Sequence, residues 1–256
     1  MIIQSDIHAF LKDMGIDRAD TIMMHTSMRS IGDVEGGCDG LIDAFKSYLC
    51  DGLYLVPTHT WANVGISVFE YDPKNTIPCI GALPTVAAFR ADGFRSLHPT
   101  HSVAAFGKRA EEFIKGEEKS TSPCPVGGVW SRLYDENAKI LLVGVGLNRN
   151  TYIHAIDEKI DLPDRLTPPV HIAVIDGEKR YELDFRRHSS NTGSENFGNF
   201  KKPLEVLGAL TYGKLGGADV ICVDAKKCTE IIENLWKNAD YHLCIEEKEI
   251  PEKYYI

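Results

Sequence analysis

The chain has 256 residues, of which 43% are hydrophobic and 25% charged, and its formal net charge is −9. This composition is ordinary for a folded protein with a full core, whereas the acidic balance argues against nucleic acid as a partner, because phosphates require a basic face. No apolar run reaches the length of a membrane span and no signal peptide begins the chain, so we expect a cytoplasmic protein without a membrane contact. Seven scattered cysteines without a C-x-x-C pair indicate reduced thiols and no metal site.

The first half of the chain alternates helical and strand-like patterns. A first helix is indicated by apolar residues at helical spacing ahead of Gly15, namely Ile7, Phe10, Leu11 and Met14. Short apolar runs predict buried strands at 21–24, 53–56 and 103–106. Further helices are predicted at 39–49, 81–90 and 108–115. Such alternation is typical of an α/β protein.

The second half continues this pattern and then changes. The uniformly apolar run Lys139–Val143 predicts a strand covered on both faces, as in a parallel sheet. Asp176-Gly177 lies between two strand-like runs, 170–175 and 181–185, which indicates a hairpin. The last predicted elements are a helix at 201–210, a strand at 219–223 and a helix at 228–239. We therefore expect a single α/β domain over residues 1–256, with a mostly parallel central sheet flanked by helices and an antiparallel extension in the C-terminal third.

The densest group of polar side chains lies in the segment 95–107. It places an Arg, two His and two Ser within Arg95–Ser102 and then enters the predicted strand 103–106. Pro99 disfavours helix at His98, so this segment is predicted to be a loop that leads into an internal strand. Backbone N–H groups of such a loop are candidates to stabilise an oxyanion, in preference to a metal ion. His98 is a candidate for contact with the substrate.

A second polar group follows the predicted strand 21–24. His25, Thr26 and Ser27 come at its carboxyl end, where open α/β sheets usually form their ligand sites. Arg29 is a candidate for binding a phosphate, because a guanidinium can donate paired hydrogen bonds to phosphate oxygens. These residues predict a ligand site at this edge of the sheet.

The segment 62–78 lacks clear periodicity and is predicted to be a loop on the substrate side. Trp61, Tyr71 and Asp72 offer an aromatic surface and a carboxylate, which suit an aminated sugar. His188, which follows a predicted strand, is a further candidate for the substrate pocket. Loops of this kind tend to determine specificity.

Proton transfer is indicated by a predicted helix that begins near Thr151. It contains His154, with Asp157 three residues and Glu158 four residues later, so both carboxylates share a face with the imidazole. Histidine is the side chain that accepts a proton near neutral pH, and a carboxylate can hold its tautomer. His154 is therefore a candidate general base, and the sequence leaves open whether Asp157 or Glu158 orients it.

Four motifs occur in the order found in one enzyme family. They resemble motifs of the aminoglycoside 3-N-acetyltransferase family, which moves acetyl from acetyl-CoA to an amine. The matching segments are 25–32 (HTSMRSIG), 80–90 (IGALPTVAAFR), 95–107 (RSLHPTHSVAAFG), and 141–145 (LLVGV) followed by 150–154 (NTYIH). The resemblance fades beyond Pro169.

The resemblance implies acetyl transfer from acetyl-CoA to the 3-amino group of an aminoglycoside, a cationic amine, without a metal. It implies that His154 is the base, with an acidic residue three positions later, where this chain has Asp157 and the family more often has Glu. Arg29 and Arg95 match positions with phosphate-binding or loop-anchoring roles. The resemblance also implies that pantetheine lies against two groups of residues: His25, Thr26 and Ser27, and Ser102, Val103, Ala104 and Phe106.

Three alternatives differ in the acceptor or in the chemistry. The first is the same transfer to a non-antibiotic amine, because the segment after Trp61 and the region past Pro169 match the family least. The second is a hydrolase that uses Cys or Ser with His, which the absence of a G-x-S-x-G motif disfavours. The third is a CoA-binding module without catalysis. The sequence leaves both a monomer and a homo-oligomer open.

Overall fold

The structure, a computed structural model, describes residues 1–189 and 193–255. Its strands are β1 (Thr21–Thr26), β2 (Leu53–Pro57), β3 (Glu70–Tyr71), β4 (Phe94–Arg95), β5 (Val103–Phe106), β6 (Lys139–Val143), β7 (Val170–Asp176), β8 (Lys179–Phe185), β9 (Leu210–Leu215) and β10 (Ala218–Asp224). Its helices are α1 (Gln4–Asp13), α2 (Met28–Ile31), α3 (Gly37–Tyr48), α4 (Ala82–Ala88), α5 (Ala110–Phe113), α6 (Val129–Asp135), α7 (Tyr152–Lys159), α8 (Lys201–Val206) and α9 (Ala225–Asn238). Within these described ranges, no helix combines the length and apolar character that crossing a membrane requires.

Seven strands form the main sheet, in the order β4-β5-β2-β1-β6-β10-β9. The α/β class, the flanking helices and the antiparallel extension at the C-terminal end are confirmed. Within this sheet, parallel pairing is confined to the three central strands, since β1 pairs in parallel with β2 and β6 while the outer strands pair antiparallel. The parallel part is smaller than expected because an apolar run such as that of β6 indicates burial on both faces and does not reveal the direction of its neighbour. In fact β6 pairs with β10 in the opposite sense.

The main sheet has a hydrophobic core on each face. Side chains alternate along its central strands, so that Met23 faces one core while Ile22 and Met24 face the other. Helices α6, α7 and α9 cover the first face, and α1, α3 and α4 cover the second. Each fully buried Leu or Ile contributes about 1.5–3 kcal/mol of transfer free energy. The central strands are therefore a rigid base for the residues that follow them.

The last third of the chain contains a strand that its sequence pattern does not indicate. The predicted helix 201–210 ends at Val206, and β9 begins at Leu210 as the edge strand beside β10. Only Leu210 and Leu215 of β9 are buried, so the strand lacks the apolar alternation that identifies a half-buried strand. The helix predicted from the apolar residues before β9 therefore reaches too far along the chain.

The predicted hairpin is confirmed as β7 and β8. These strands are in register from Val170 opposite Phe185 to Asp176 opposite Lys179, and Gly177 in the intervening turn has the positive φ of 63° that favours glycine. The pair joins β3 in a three-stranded sheet, in the order β3-β7-β8. This sheet has a small core of its own, formed by Val64, Tyr71, Ile172, Val174 and Phe185.

Candidate active site

A cavity of about 880 Å³ lies at the carboxyl ends of the three parallel strands. Thr26 ends β1, Pro57 ends β2, and Val145 follows β6, and all three residues line the cavity. Parallel strands bring their carboxyl ends to one edge of a sheet, which is where α/β proteins form ligand sites. Gly144 lets the chain leave β6 beside α2, since it has a φ of 67° and a Cβ there would lie 2.4 Å from the Cβ of Ser30.

Some residues predicted to form the site line this cavity. They come from four separate parts of the chain: His25 and Thr26 from β1, Trp61 after β2, His154 from α7 and His188 after β8. The cavity also contains residues that the sequence did not single out, among them His59, Asn148, Asn150 and Arg187. Of these, His59 follows the internal strand β2, and its position at a strand end was the one signal that could have identified it.

The predicted pantetheine contacts at Ser102, Val103, Ala104 and Phe106 are wrong for the side chains. All four residues are buried, with exposed fractions of 0% to 1%. Both backbone edges of β5 are occupied, because Ala104 lies opposite Val56 of β2 on one side and Arg95 of β4 on the other. Since β5 runs antiparallel to β2, it is the residues before β5 that reach the cavity, namely Thr100 and His101.

Arg95 anchors a loop instead of binding a phosphate. Its Nη1 atom donates to the carbonyl oxygens of Pro73 and Thr76 at 3.0 and 2.7 Å, and its Nη2 donates to that of Thr58 at 3.2 Å. Burial lowers the pKa of this guanidinium. The three carbonyl oxygens nevertheless accept its hydrogen bonds. Of the two roles that the resemblance implied for Arg95, anchoring of a loop is the one that fits these contacts. The predicted contact of Arg95 with the cofactor is therefore wrong.

Tyr71 and Asp72 do not face the cavity either. Tyr71 is fully buried in the small core, and its hydroxyl donates to the carbonyl oxygen of Ser96 at 2.9 Å. The carboxylate of Asp72 accepts from the backbone N–H of Lys74 and from the side-chain amide of Asn75. These two residues hold the loop in shape, so their assignment to the substrate is wrong.

His98 is a buried structural residue and not a substrate contact. Its Nε2 lies 3.0 Å from the carbonyl oxygen of Ser122, and its Nδ1 accepts from the backbone N–H groups of Thr100 and His101. The N–H of Val103 donates to the Ser96 hydroxyl. These amides are already hydrogen-bonded, so they are not free to stabilise an oxyanion as the sequence suggested.

The two remaining candidates after β1 are Ser27, which precedes α2, and Arg29, which lies in it. Ser27 caps this helix, because its hydroxyl accepts from the N–H of Ser30 at 3.3 Å and from the Ser30 hydroxyl at 2.9 Å. Arg29 is exposed in the same short helix. Neither side chain is among those that line the cavity.

Histidine rings form a continuous row along one wall of the cavity. The ring centroids of His59 and His101 are 4.6 Å apart, those of His101 and His188 are 5.3 Å apart, and those of His188 and His154 are 4.2 Å apart. Burial lowers the pKa values of His59, His101 and His188 well below 6.5, and neighbouring positive charge contributes in the same direction. At neutral pH these three imidazoles are therefore uncharged.

His154 lies on the first turn of α7, next to a buried ion pair. Its Nδ1 contacts the guanidinium of Arg165 and is 3.9 Å from Oδ2 of Asp157, which is too far for a hydrogen bond. Arg165 Nε lies 3.1 Å from the same Asp157 oxygen. Burial and the nearby Glu158 raise the pKa of Asp157, and burial lowers the pKa of the Arg165 guanidinium to about 10. Arg165 was not predicted from the sequence.

Glu158 orients His188 and not His154. Its Oε1 accepts from His188 Nε2 and from the backbone N–H of Cys124, both at 2.8 Å, and its Oε2 accepts from the Ser122 hydroxyl. Burial raises the pKa of Glu158 to about 7, although the donors Ser122 and Cys124 and the charge of Arg186 work against the shift. Of the two carboxylates that the sequence offered to His154, only Asp157 is close to it.

One trio of possible metal ligands occurs within residues 1–189 and 193–255. Cys124, Glu158 and His188 each offer an atom within 4.8 Å of the others. The hydrogen bonds of Glu158 account for both of its oxygens without an ion, and burial raises the pKa of the Cys124 thiol well above its usual value. The carboxylate and the imidazole are thus joined by a hydrogen bond, and Cys124 takes part through its backbone N–H.

Four buried polar atoms of cavity residues have no hydrogen-bond partner among the described residues. They are His25 Nε2, Thr26 Oγ1, His59 Nε2 and Asn150 Nδ2. Burial lowers the pKa of His25 to about 3, so its unpaired nitrogen stays uncharged. Buried polar groups are nearly always paired, and an unpaired set at one cavity indicates a ligand that offers donors and acceptors.

Comparison with known proteins points to one family. The family model described as aminoglycoside 3-N-acetyltransferase matches residues 23–237. Aminoglycoside N(3)-acetyltransferase IV of Salmonella sp is 26% identical over 175 residues, which cover 68% of this chain and 65% of that relative's length.

Solved structures share the fold. AAC-IIIb with CoASH has a TM-score of 0.76 at 19% identity and covers 89% of this chain and 93% of its own. A mutant of AAC(3)-IVa in complex with a gentamicin has a TM-score of 0.75 at 21% identity and covers 90% and 86%. With the family model matching most of its length, the chain belongs to the aminoglycoside 3-N-acetyltransferase family of acyltransferases.

Proposed function

We propose that the chain acts as a single domain over residues 1–256 and transfers acetyl from acetyl-CoA to the 3-amino group of an aminoglycoside. The observation that supports this most strongly is the placement of His154 beside a row of uncharged imidazoles in an 880 Å³ cavity. Such a cavity is large enough for a drug-sized ligand, and proton acceptors are what attack by an amine requires.

The cavity residues suit acetyl-CoA as the donor. The unpaired atoms of Thr26 and His25 lie at the end of β1, where the family resemblance places pantetheine, which has amide donors and acceptors. AAC-IIIb, which shares this fold, has been solved with CoASH. Arg29, exposed on α2, is the candidate for the phosphates. When bound, acetyl-CoA supplies a thioester carbonyl for attack and a thiolate as the leaving group.

The acceptor side of the cavity suits a cationic sugar. Trp61 lines it with 41% of its surface exposed, and its carbonyl oxygen accepts from Arg187 at 2.7 Å, which holds this segment in place. An indole face attracts a cation placed over it. AAC(3)-IVa, a neighbour in fold, has been solved as a mutant with a gentamicin. We infer an aminoglycoside acceptor for this chain on that basis.

His154 acts as the general base in this proposal. An ammonium has no lone pair and cannot attack a thioester, so a proton must leave it first. A guanidinium only donates hydrogen bonds, so its contact with Nδ1 fits the tautomer that has its proton on Nε2. Acting as a base through Nε2 requires the other tautomer, with Nδ1–H directed to Asp157 and Arg165 withdrawn from Nδ1. Asp157 then orients the ring, as a carboxylate does in triad chemistry.

Release of free thiol from acetyl-CoA tests this function. We expect release to depend on an added aminoglycoside and to be absent with a matched sugar that has hydroxyls in place of amines. A set of non-antibiotic amines separates the alternative acceptor from the proposed one. Release without any amine would indicate a hydrolase, and CoA binding without release would indicate a binding module; either result contradicts the proposal.

Thr26→Val tests the donor contact at the end of β1. Losing one hydroxyl that pairs with the ligand costs about 1 kcal/mol, so the Kd for CoA should rise about fivefold. Ser27→Ala is the matched control, because the Ser27 hydroxyl is already used to cap α2. Calorimetry should show affinity that is weaker for Thr26→Val and unchanged for Ser27→Ala. Equal affinities in all three proteins would remove Thr26 from the donor site.

A further inference from the structure

Two imidazoles at the cavity have opposite electrostatic partners. The rings of His154 and His188 have centroids 4.2 Å apart, and both residues line the cavity. His188 Nε2 is 2.8 Å from a carboxylate oxygen of Glu158. His154 Nδ1 instead contacts the guanidinium of Arg165. A positive charge that forms on His188 therefore faces the carboxylate of Glu158. A positive charge on His154 faces the guanidinium of Arg165 instead.

Acetyl transfer to an ammonium requires that more than one proton be accepted from its nitrogen. The acceptor nitrogen enters as an ammonium and ends as an amide, so it loses two protons. The first leaves before the nitrogen attacks the thioester carbon, and the second leaves after the C–N bond has formed. When the C–S bond breaks, the thiolate takes one proton and the other goes to solvent. A single base has to release its first proton before it can take the second.

We propose that His188, oriented by Glu158, is a second catalytic proton acceptor of this reaction. His154 takes the first proton from the ammonium, and His188 takes the second from the nitrogen of the tetrahedral adduct. This inference rests on the proposed function, and it assigns to His188 a role that binding of the substrate alone does not include.

The surroundings of Glu158 fix the geometry of this pair. The carboxylate receives three donors, from His188, from the Cys124 backbone and from Ser122, so its position is set from three sides. When Glu158 is ionised, its carboxylate only accepts, which puts the His188 proton on Nε2 and leaves the lone pair on Nδ1. That tautomer is the one a base needs, and it forms here without any rearrangement.

The neighbours of the His188 ring keep it unprotonated and uncharged before the reaction. The ring lies between His154 and His101, and its side chain is 13% exposed. Burial lowers the pKa of His188 most, and Arg165 and the neighbouring histidines lower it further. Proton transfer to His188 then favours the nitrogen of the tetrahedral adduct as the donor, because the oxygen and sulfur on the adjacent carbon make it a stronger acid than the starting ammonium.

Steady-state kinetics of His188→Gln, Glu158→Gln and the double variant test the proposal. We expect His188→Gln to lower kcat about a hundredfold and Glu158→Gln about tenfold, with KM for the acceptor within about threefold of wild type. Because Glu158 acts through His188, the double variant should match His188→Gln alone. A purely structural role predicts losses that multiply and a changed KM.

The outcomes separate this inference from the proposed function. Wild type that releases no thiol with any amine refutes the proposed function. Wild type that turns over while His188→Gln keeps near wild-type kcat refutes only the second acceptor, as does a double variant with multiplied losses. If His188→Gln does not fold, the isosteric Glu158→Gln decides, since an unchanged kcat there overturns the role of the pair. Activity lost to EDTA and restored by zinc would also overturn it, by giving Cys124, Glu158 and His188 to a metal.

Discussion

His154→Ala should lower kcat by roughly 10²–10⁴ while leaving acetyl-CoA binding nearly unchanged, because it removes a positioned general base and no donor contact. The loss should shrink as pH rises from about 7 to 9, since solution then supplies more of the neutral amine and bypasses part of the proton transfer. Rates at saturating acetyl-CoA over this pH range, with calorimetry for donor affinity, measure both effects.

His171→Ala is the matched control for this substitution. His171 lies on β7 with 66% of its side chain exposed, where it pairs with Glu182 and Asp184 away from the cavity. Its replacement should leave kcat unchanged at every pH. A His154→Ala protein that keeps near wild-type kcat at pH 7 would instead move the base to another histidine of the cavity wall.

Arg165→Met should destabilise the fold by about 3–5 kcal/mol at pH 7, because it leaves the buried carboxylate of Asp157 without its counter-charge. Both side chains are nearly inaccessible, at 3% and 2% exposure. Urea unfolding measures the change in the free energy of unfolding. Asp157→Asn combined with Arg165→Met removes both charges and should recover most of the loss.

The destabilisation by Arg165→Met should depend on pH in a defined direction. Burial raises the pKa of Asp157, and removing the cation 3.1 Å from its carboxylate raises that pKa further. A carboxyl whose pKa is higher in the folded state binds a proton on folding, so stability falls as pH rises above the unfolded value of about 3.9. The gap from wild type should therefore be small near pH 4 and largest near neutrality. A gap of equal size at both pH values would mean that lost packing, and not the buried charge, causes the destabilisation.

Arg180→Met controls for the loss of a guanidinium as such. Arg180 pairs with Glu70 and Glu182 on the surface, with 51% of its side chain exposed. Exposed pairs contribute little because water and salt screen them. The control should unfold like wild type at both pH values.

The parts of the fold that sequence predicts well are those with strong apolar patterns. The buried strands β1, β2, β5 and β6 were placed because each is a short apolar run, and the hairpin because Asp176-Gly177 separates two alternating segments. The edge strand β9 was missed because only its end residues are buried. The direction of neighbouring strands could not be predicted from the sequence either. A strand buried on both faces has the same apolar pattern beside parallel and antiparallel neighbours.

For the candidate site, too, the sequence predicted neighbours within one helix but not contacts between residues that are distant along the chain. His154 was identified because its carboxylate neighbours lie within one helical turn. The partner of Glu158 was missed because His188 is 30 residues away along the chain and approaches through the fold. Likewise, residues 102–106 were expected to contact a ligand, yet the edges of β5 are both paired, and it is Thr100 and His101 that reach the cavity. Spacing predicts which residues share a helix face, but it does not predict which loops meet.

The position of the transferred acetyl group tests the proposed function most directly. NMR of the product formed from acetyl-CoA and an aminoglycoside with several amino groups assigns that position, and a thiol assay on the same sample measures the CoA released. We expect the acetyl group on the 3-amino nitrogen, with thiol and amide formed in equal amounts. Acetyl on another atom, or thiol released as acetate accumulates without any amide, would contradict the proposal.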